Sequence, residues 1–70
     1  MKYAVLYEPT AAGYSAHVPD LPGCVGAAAT LDEARELMSE AIEGHLECMR
    51  KFGYPIPPPT TVAEEVEVSA

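Results

Sequence analysis

Seventy residues, carrying 11 Asp and Glu against 4 Lys and Arg for a formal net charge of −7, leave room for one domain over 1–70 and no second. The four cations, Lys2, Arg35, Arg50 and Lys51, are too few and too scattered to displace counterions from phosphate, so direct nucleic-acid binding is not expected. No apolar run approaches the roughly 20 residues that a membrane span requires.

Lys2 to Tyr7 is a short run rich in aromatic and branched residues, stopped by Glu8-Pro9, and is read as a first strand rather than a secretory leader. Thr10-Ala11-Ala12-Gly13 is a loop, and the alternation Tyr14-Ser15-Ala16-His17-Val18 predicts a second strand closing a hairpin. Pro19-Asp20-Leu21-Pro22-Gly23 is a bend, because its two prolines lack donors for a ladder. Cys24 to Ala28 is a third strand of small residues.

Thr30-Leu31-Asp32-Glu33 fits a capping box and starts a helix running from Leu31 to Phe52. Leu31, Ala34, Leu37, Met38, Ala41, Ile42, Cys48, Met49 and Phe52 fall on one face, and Glu36, Glu40, Glu43, Glu47 and Arg50 on the other. Gly53 is the expected stop. Four prolines within Tyr54 to Pro59 predict a stiff return segment. Glu65-Val66-Glu67-Val68 alternates and predicts a final strand within Thr60 to Val68.

The expected class is therefore α+β in the order β-β-β-α-β, with one helix packed on one sheet face. If the last strand joins beside the first, a right-handed crossover makes it parallel and the sheet order 3-2-1-4. So short a chain buries a marginal core, and Cys24 and Cys48 follow no disulfide or C-x-x-C spacing. Free thiols in a cytoplasmic, self-associating protein are expected, as a dimer or tetramer.

Gly13-Tyr14, Pro19-Asp20-Leu21-Pro22-Gly23-Cys24, Thr30-Leu31-Asp32-Glu33-Ala34, Glu40-Ala41-Ile42 and Gly53 with Ile56-Pro57 together resemble the HicB-type antitoxins. The resemblance spans nearly the whole chain. It implies a partial RNase H-like fold and a role in binding and blocking HicA, a small RNA-cleaving toxin. Many members of that family continue into a DNA-binding module. This sequence stops at Ala70, just after the last expected strand, so operator binding is not expected. A second reading is a stand-alone structural homo-oligomer, or a small-molecule-binding domain without a toxin.

No catalytic, metal or cofactor residues are assigned. Nuclease chemistry needs converging carboxylates, and the first strand, Tyr3-Ala4-Val5-Leu6-Tyr7, offers none. His17, His45 and the thiols follow no metal-ligand spacing. His45 sits on the apolar helix face, where a neutral hydrogen-bonded histidine is the ordinary case. Asp20, between prolines, is read as an Asx-turn acceptor.

Contact residues for a partner or a second copy are expected elsewhere. Tyr3, Val5 and Tyr7 make an apolar sheet face, since only one face can be covered by the helix. Tyr14 is the expected anchor, beside Asp20 and Leu21 of the bend. Glu65 and Glu67 form an acidic rim facing a basic protein.

Overall fold

The hairpin register explains where the sheet begins. In this computed structural model, which describes residues 1–69, β1 (Leu6–Thr10) pairs antiparallel with β2 (Gly13–His17), and β2 with β3 (Val25–Ala28). Leu6 faces His17 and Thr10 faces Gly13. Residues before Leu6 have no ladder partner because β2 gives way to the bend: the Val18 amide donates to the Cys24 carbonyl at 3.1 Å. The first strand thus lies later than the expected Lys2 to Tyr7. It runs through Pro9, which an edge strand tolerates because no further ladder needs its missing N–H.

Two consecutive β-turns build the bend. The Leu21 amide reaches the Val18 carbonyl at 3.1 Å, and the Cys24 amide reaches the Leu21 carbonyl at 3.0 Å. Pro19 and Pro22 each occupy the position that a fixed negative φ favours, and Gly23 supplies the φ of +85° that follows Pro22. The double turn drives Leu21 into the interior, where it is fully buried beside Val18 and Cys24.

Helix α1 (Leu31–Lys51) opens on Thr30, whose Oγ1 accepts the Glu33 amide at 3.2 Å. Asp32 and Glu33 lie in the first turn and Arg50 and Lys51 in the last, matching the helix dipole. Gly53, at φ +73°, ends the helix: its amide donates to Arg50 and that of Tyr54 to Met49, which together make a Schellman motif.

The helix packs over β2 and β3. Gly26 lies directly beneath it, where a Cβ would stand 3.0 Å from both Leu37 Cδ2 and Met38 Sδ. Ala16, Val18, Leu21, Cys24, Met38 and Leu46 form the core, with Tyr3, Val5, Tyr7, Ala41, Ile42, Met49 and Ile56 packed around it. Several helix assignments change, Leu37 among them, since it stands 39% exposed. Cys48 and Phe52 are exposed, whereas Leu46, which the periodic face omitted, is buried. The helix outruns the short sheet, so its last turn has nothing beneath it for Phe52 to cover.

The sheet order among the described residues is β1-β2-β3. The expected fourth strand is absent from the ladder: Thr60 to Ser69 are exposed and none of these residues is paired. The architecture is α+β, with a three-stranded antiparallel sheet under one helix.

Candidate functional site

The segment after the helix is tied down at three places. The Tyr3 hydroxyl donates to the Pro57 carbonyl at 2.5 Å. Ile56 packs against the core. Asp20 then receives four bonds from two consecutive threonines. Its Oδ2 accepts the Thr60 and Thr61 amides at 3.1 and 2.9 Å, and its Oδ1 the two hydroxyls at 3.2 and 2.8 Å. The Thr61 amide, then its hydroxyl, hold the Asp20 carboxyl below the usual aspartate range, against a smaller opposing effect of desolvation.

Beyond that anchor the chain runs beside β1 without joining it. Tyr3 meets Pro57, and Val5 to Tyr7 share a cavity with Ala63 to Glu65, so the segment travels in the same direction as β1. Among the described residues, no backbone hydrogen bond links 60–69 to the sheet. A groove of about 420 Å³ separates the two, lined by Val5, Leu6, Tyr7, Tyr14, Leu31, Arg35, Ala63, Glu64 and Glu65. Val62, Val66 and Val68 stand 78%, 79% and 77% exposed, so none of the described residues covers the segment's apolar side.

Charge at the groove is unevenly neutralised. Arg35 Nη1 pairs with Asp32 Oδ1 at 3.1 Å, the one ion pair among the described residues. Among the described residues neither Glu64 nor Glu65 lies in an ion pair. No three His, Cys, Asp or Glu residues converge as metal ligands among the described residues.

The expected contact residues do not form one surface. Tyr14, Glu65, Val5 and Tyr7 meet at the groove, whereas Glu67 lies on the exposed segment beyond it. Tyr3, Val5 and Tyr7 are not on an open sheet face: they pack against the core, because Tyr7 shares its pleat with buried Ala16 on the helix side. Leu21 is excluded from any surface by its complete burial. Asp20 is engaged with Thr60 and Thr61, forty residues away, rather than with a local Asx-turn.

The sheet face left uncovered is that of Leu6, His17 and Val25, which lie opposite one another across the strands. Val25 is 66% exposed there. Leu6, Leu31, Arg35 and Ala63 are groove residues that the sequence does not single out as contacts, whereas Glu64 belongs with Glu65 to the expected acidic rim. Helical spacing does put Leu31 and Arg35 on one side of the first turn, but nothing local points either residue toward β1.

A family model described as the HicB-like antitoxin of bacterial toxin–antitoxin systems matches residues 3–69. A UPF0150 protein of Thermoplasma acidophilum is 38% identical, with both chains covered over 100% of their length. A UPF0150 protein of Archaeoglobus fulgidus is 48% identical over 67% of this chain and 70% of its own. An uncharacterized 14.9 kDa protein of Haemophilus phage HP1, from the rep–hol intergenic region, is 45% identical over 70% of this chain. The match spans only 37% of that phage protein. No solved structure matches.

Proposed function

The chain belongs to the HicB-like antitoxin family, and from that premise we propose that it is a non-catalytic domain that binds and masks a small, basic, RNA-cleaving toxin of the HicA type. An RNA-cleaving protein must be basic where it holds phosphate, and an acidic protein can occupy that surface. One observation carries the reading beyond family membership. The acidic residues Glu64, Glu65 and Glu67 stand exposed on residues 62–68, whose backbone joins no ladder and whose valines are uncovered among the described residues.

On this reading the fold is a partial RNase H-like one, in which residues 62–68 take the place of a fourth strand beside β1, in the order 3-2-1-4, with the groove kept open between the two. The reading is supported by the groove that residues 63–65 share with Val5, Leu6 and Tyr7. The same reading includes self-association through the uncovered face of Leu6, His17 and Val25. A chain with so small a core gains stability from burying such a face.

The test is co-purification of the tagged chain from its native host, followed by RNA-cleavage assays on any small basic protein recovered. The expected result is a stoichiometric complex in which cleavage is suppressed. Charge reversal at Glu65 and Glu67 should slow association several-fold at low salt and matter little at high salt, since rim charges act on the encounter rate. Recovery of homo-oligomer alone, with no inhibited nuclease, would favour the stand-alone structural role.

A further inference from the structure

We propose that the groove between β1 and residues 63–65 is the seat for one arginine or lysine side chain of the basic partner. This deepens the toxin-masking proposal and rests on it for the source of that side chain. The cavity, about 420 Å³, lies within the size range of built ligand sites rather than of packing defects. Its walls suit a long cationic side chain at both ends. Val5 and Leu31 present aliphatic surface for a methylene stem, as lysine and arginine side chains require. Tyr7 and Tyr14, both half-buried, present aromatic rings to which a cation is attracted.

Glu64 and Glu65 complete the lining with two carboxylates. The one cation that lines the groove, Arg35, is already paired with Asp32. The local balance is therefore a surplus of negative charge, which rejects an anion and gives a neutral apolar group no partner for the two exposed carboxylates. Of the chain's remaining cations, Lys51 lies over the Phe52 ring at the far end of α1.

The Asp20 clamp holds Thr60 and Thr61 just before residues 63–65, so the groove's outer wall is positioned while its backbone remains unpaired. A cationic side chain entering there would bridge Glu64 or Glu65 to the tyrosines and fix the register of the partner.

The test uses the intact chain and no toxin. Amide chemical shifts are followed while the capped peptide N-acetyl-Ala-Arg-Ala-amide is added at physiological salt, and then its citrulline counterpart, which keeps the shape and loses the charge. The expected result is a saturable response confined to Tyr7, Tyr14, Leu31 and residues 63–65, several-fold weaker for citrulline. The double variant Glu64→Gln with Glu65→Gln should abolish it. Glu40→Gln with Glu43→Gln removes the same charge from the outer face of α1 and should leave it intact. No saturable response, equal binding of citrulline, or equal loss in both double variants overturns the proposal. A toxin complex recovered from the host alongside a silent groove would sink the groove assignment and leave the masking function standing.

Discussion

A methyl group added at Gly13 has nowhere to go. Its Cβ would collide with the Ala28 carbonyl oxygen and stand 2.7 Å from Ala29 Cα, at a backbone φ of +147°. Gly53 carries a positive φ too, of +73°, but opens onto empty space. The two positions separate strain from collision. Gly53→Ala should lose about 1 kcal/mol, the conformational cost alone. Gly13→Ala should lose at least about 2 kcal/mol, because backbone of the chain following β3 must also move. Urea denaturation of both variants measures the difference, and equal losses would show that the β1–β2 loop relaxes freely.

Asp20 makes a second prediction at this scale, one of pH. Its carboxyl is held below the ordinary range by the Thr61 and Thr60 donors. A group depressed on folding contributes stability above its unfolded pKa and loses it as pH falls through the folded one. The gap in stability between wild type and Asp20→Ala should therefore be full at neutral pH, begin to shrink near about pH 4, and close below that. A gap that persisted unchanged under acid would mean that ionisation of Asp20 adds nothing to its contribution to folding.

At the level of elements, the helix carries most of the testable energetics. Thr30→Ala removes the acceptor of the Glu33 amide and should cost about 1 kcal/mol. Leu46 is only 9% exposed while Cys48, two residues on, is exposed. Leu46→Ala should thus cost roughly 2–3 kcal/mol and Cys48→Ala less than about 0.5 kcal/mol. Thermal melts of the pair check the rotation of the helix on the sheet. A larger loss at Cys48 would mean that the helix presents the face that periodicity alone suggests. The bend between β2 and β3 belongs to the same scale. Pro19, Pro22 and Gly23 each meet the dihedral demand of one turn position, which is why a segment unable to join a ladder still delivers Leu21 to the core.

For the whole molecule, shape is the informative quantity. The Cα radius of gyration is 13.7 Å, with extents of 48 × 26 × 16 Å, against about 11 Å for a compact chain of this length. The excess reflects a long helix over a short sheet and a terminal segment that the core does not gather in. Both leave apolar surface uncovered: Phe52 and Tyr54 at the helix end, and Val62, Val66 and Val68 on the segment. Sedimentation equilibrium at micromolar concentration should find a dimer or larger, and a monomer would remove the support for self-association. The terminal segment is a poor self-pairing element. A two-fold antiparallel pair centred on any residue from Glu64 to Glu67 sets glutamate opposite glutamate, which is destabilising. Val25→Lys, on the uncovered sheet face, is the variant expected to dissociate the oligomer.

Strand, turn and cap chemistry was written locally and could be read without coordinates. Alternation marked β2, Thr30 and Gly53 marked the helix ends, and the prolines marked the bend, because each depends on dihedral and hydrogen-bond preferences within a few residues. The ordered motifs also carried the family, which the match over residues 3–69 shows. Tertiary structure alone decided which apolar residues are inside and where the candidate site lies. Alternation separates Tyr3, Val5 and Tyr7 from Ala4 and Leu6 but cannot say which set meets the helix; that depends on the side of the sheet to which the chain crosses after β3. Alternation within Glu65 to Val68 records strand propensity, whereas a strand also requires a ladder partner. The position of that segment is instead governed by Asp20 gripping Thr60 and Thr61 across forty residues. No local preference encodes a contact of that range, so the groove beside Tyr14 exists only once the chain has folded back upon itself.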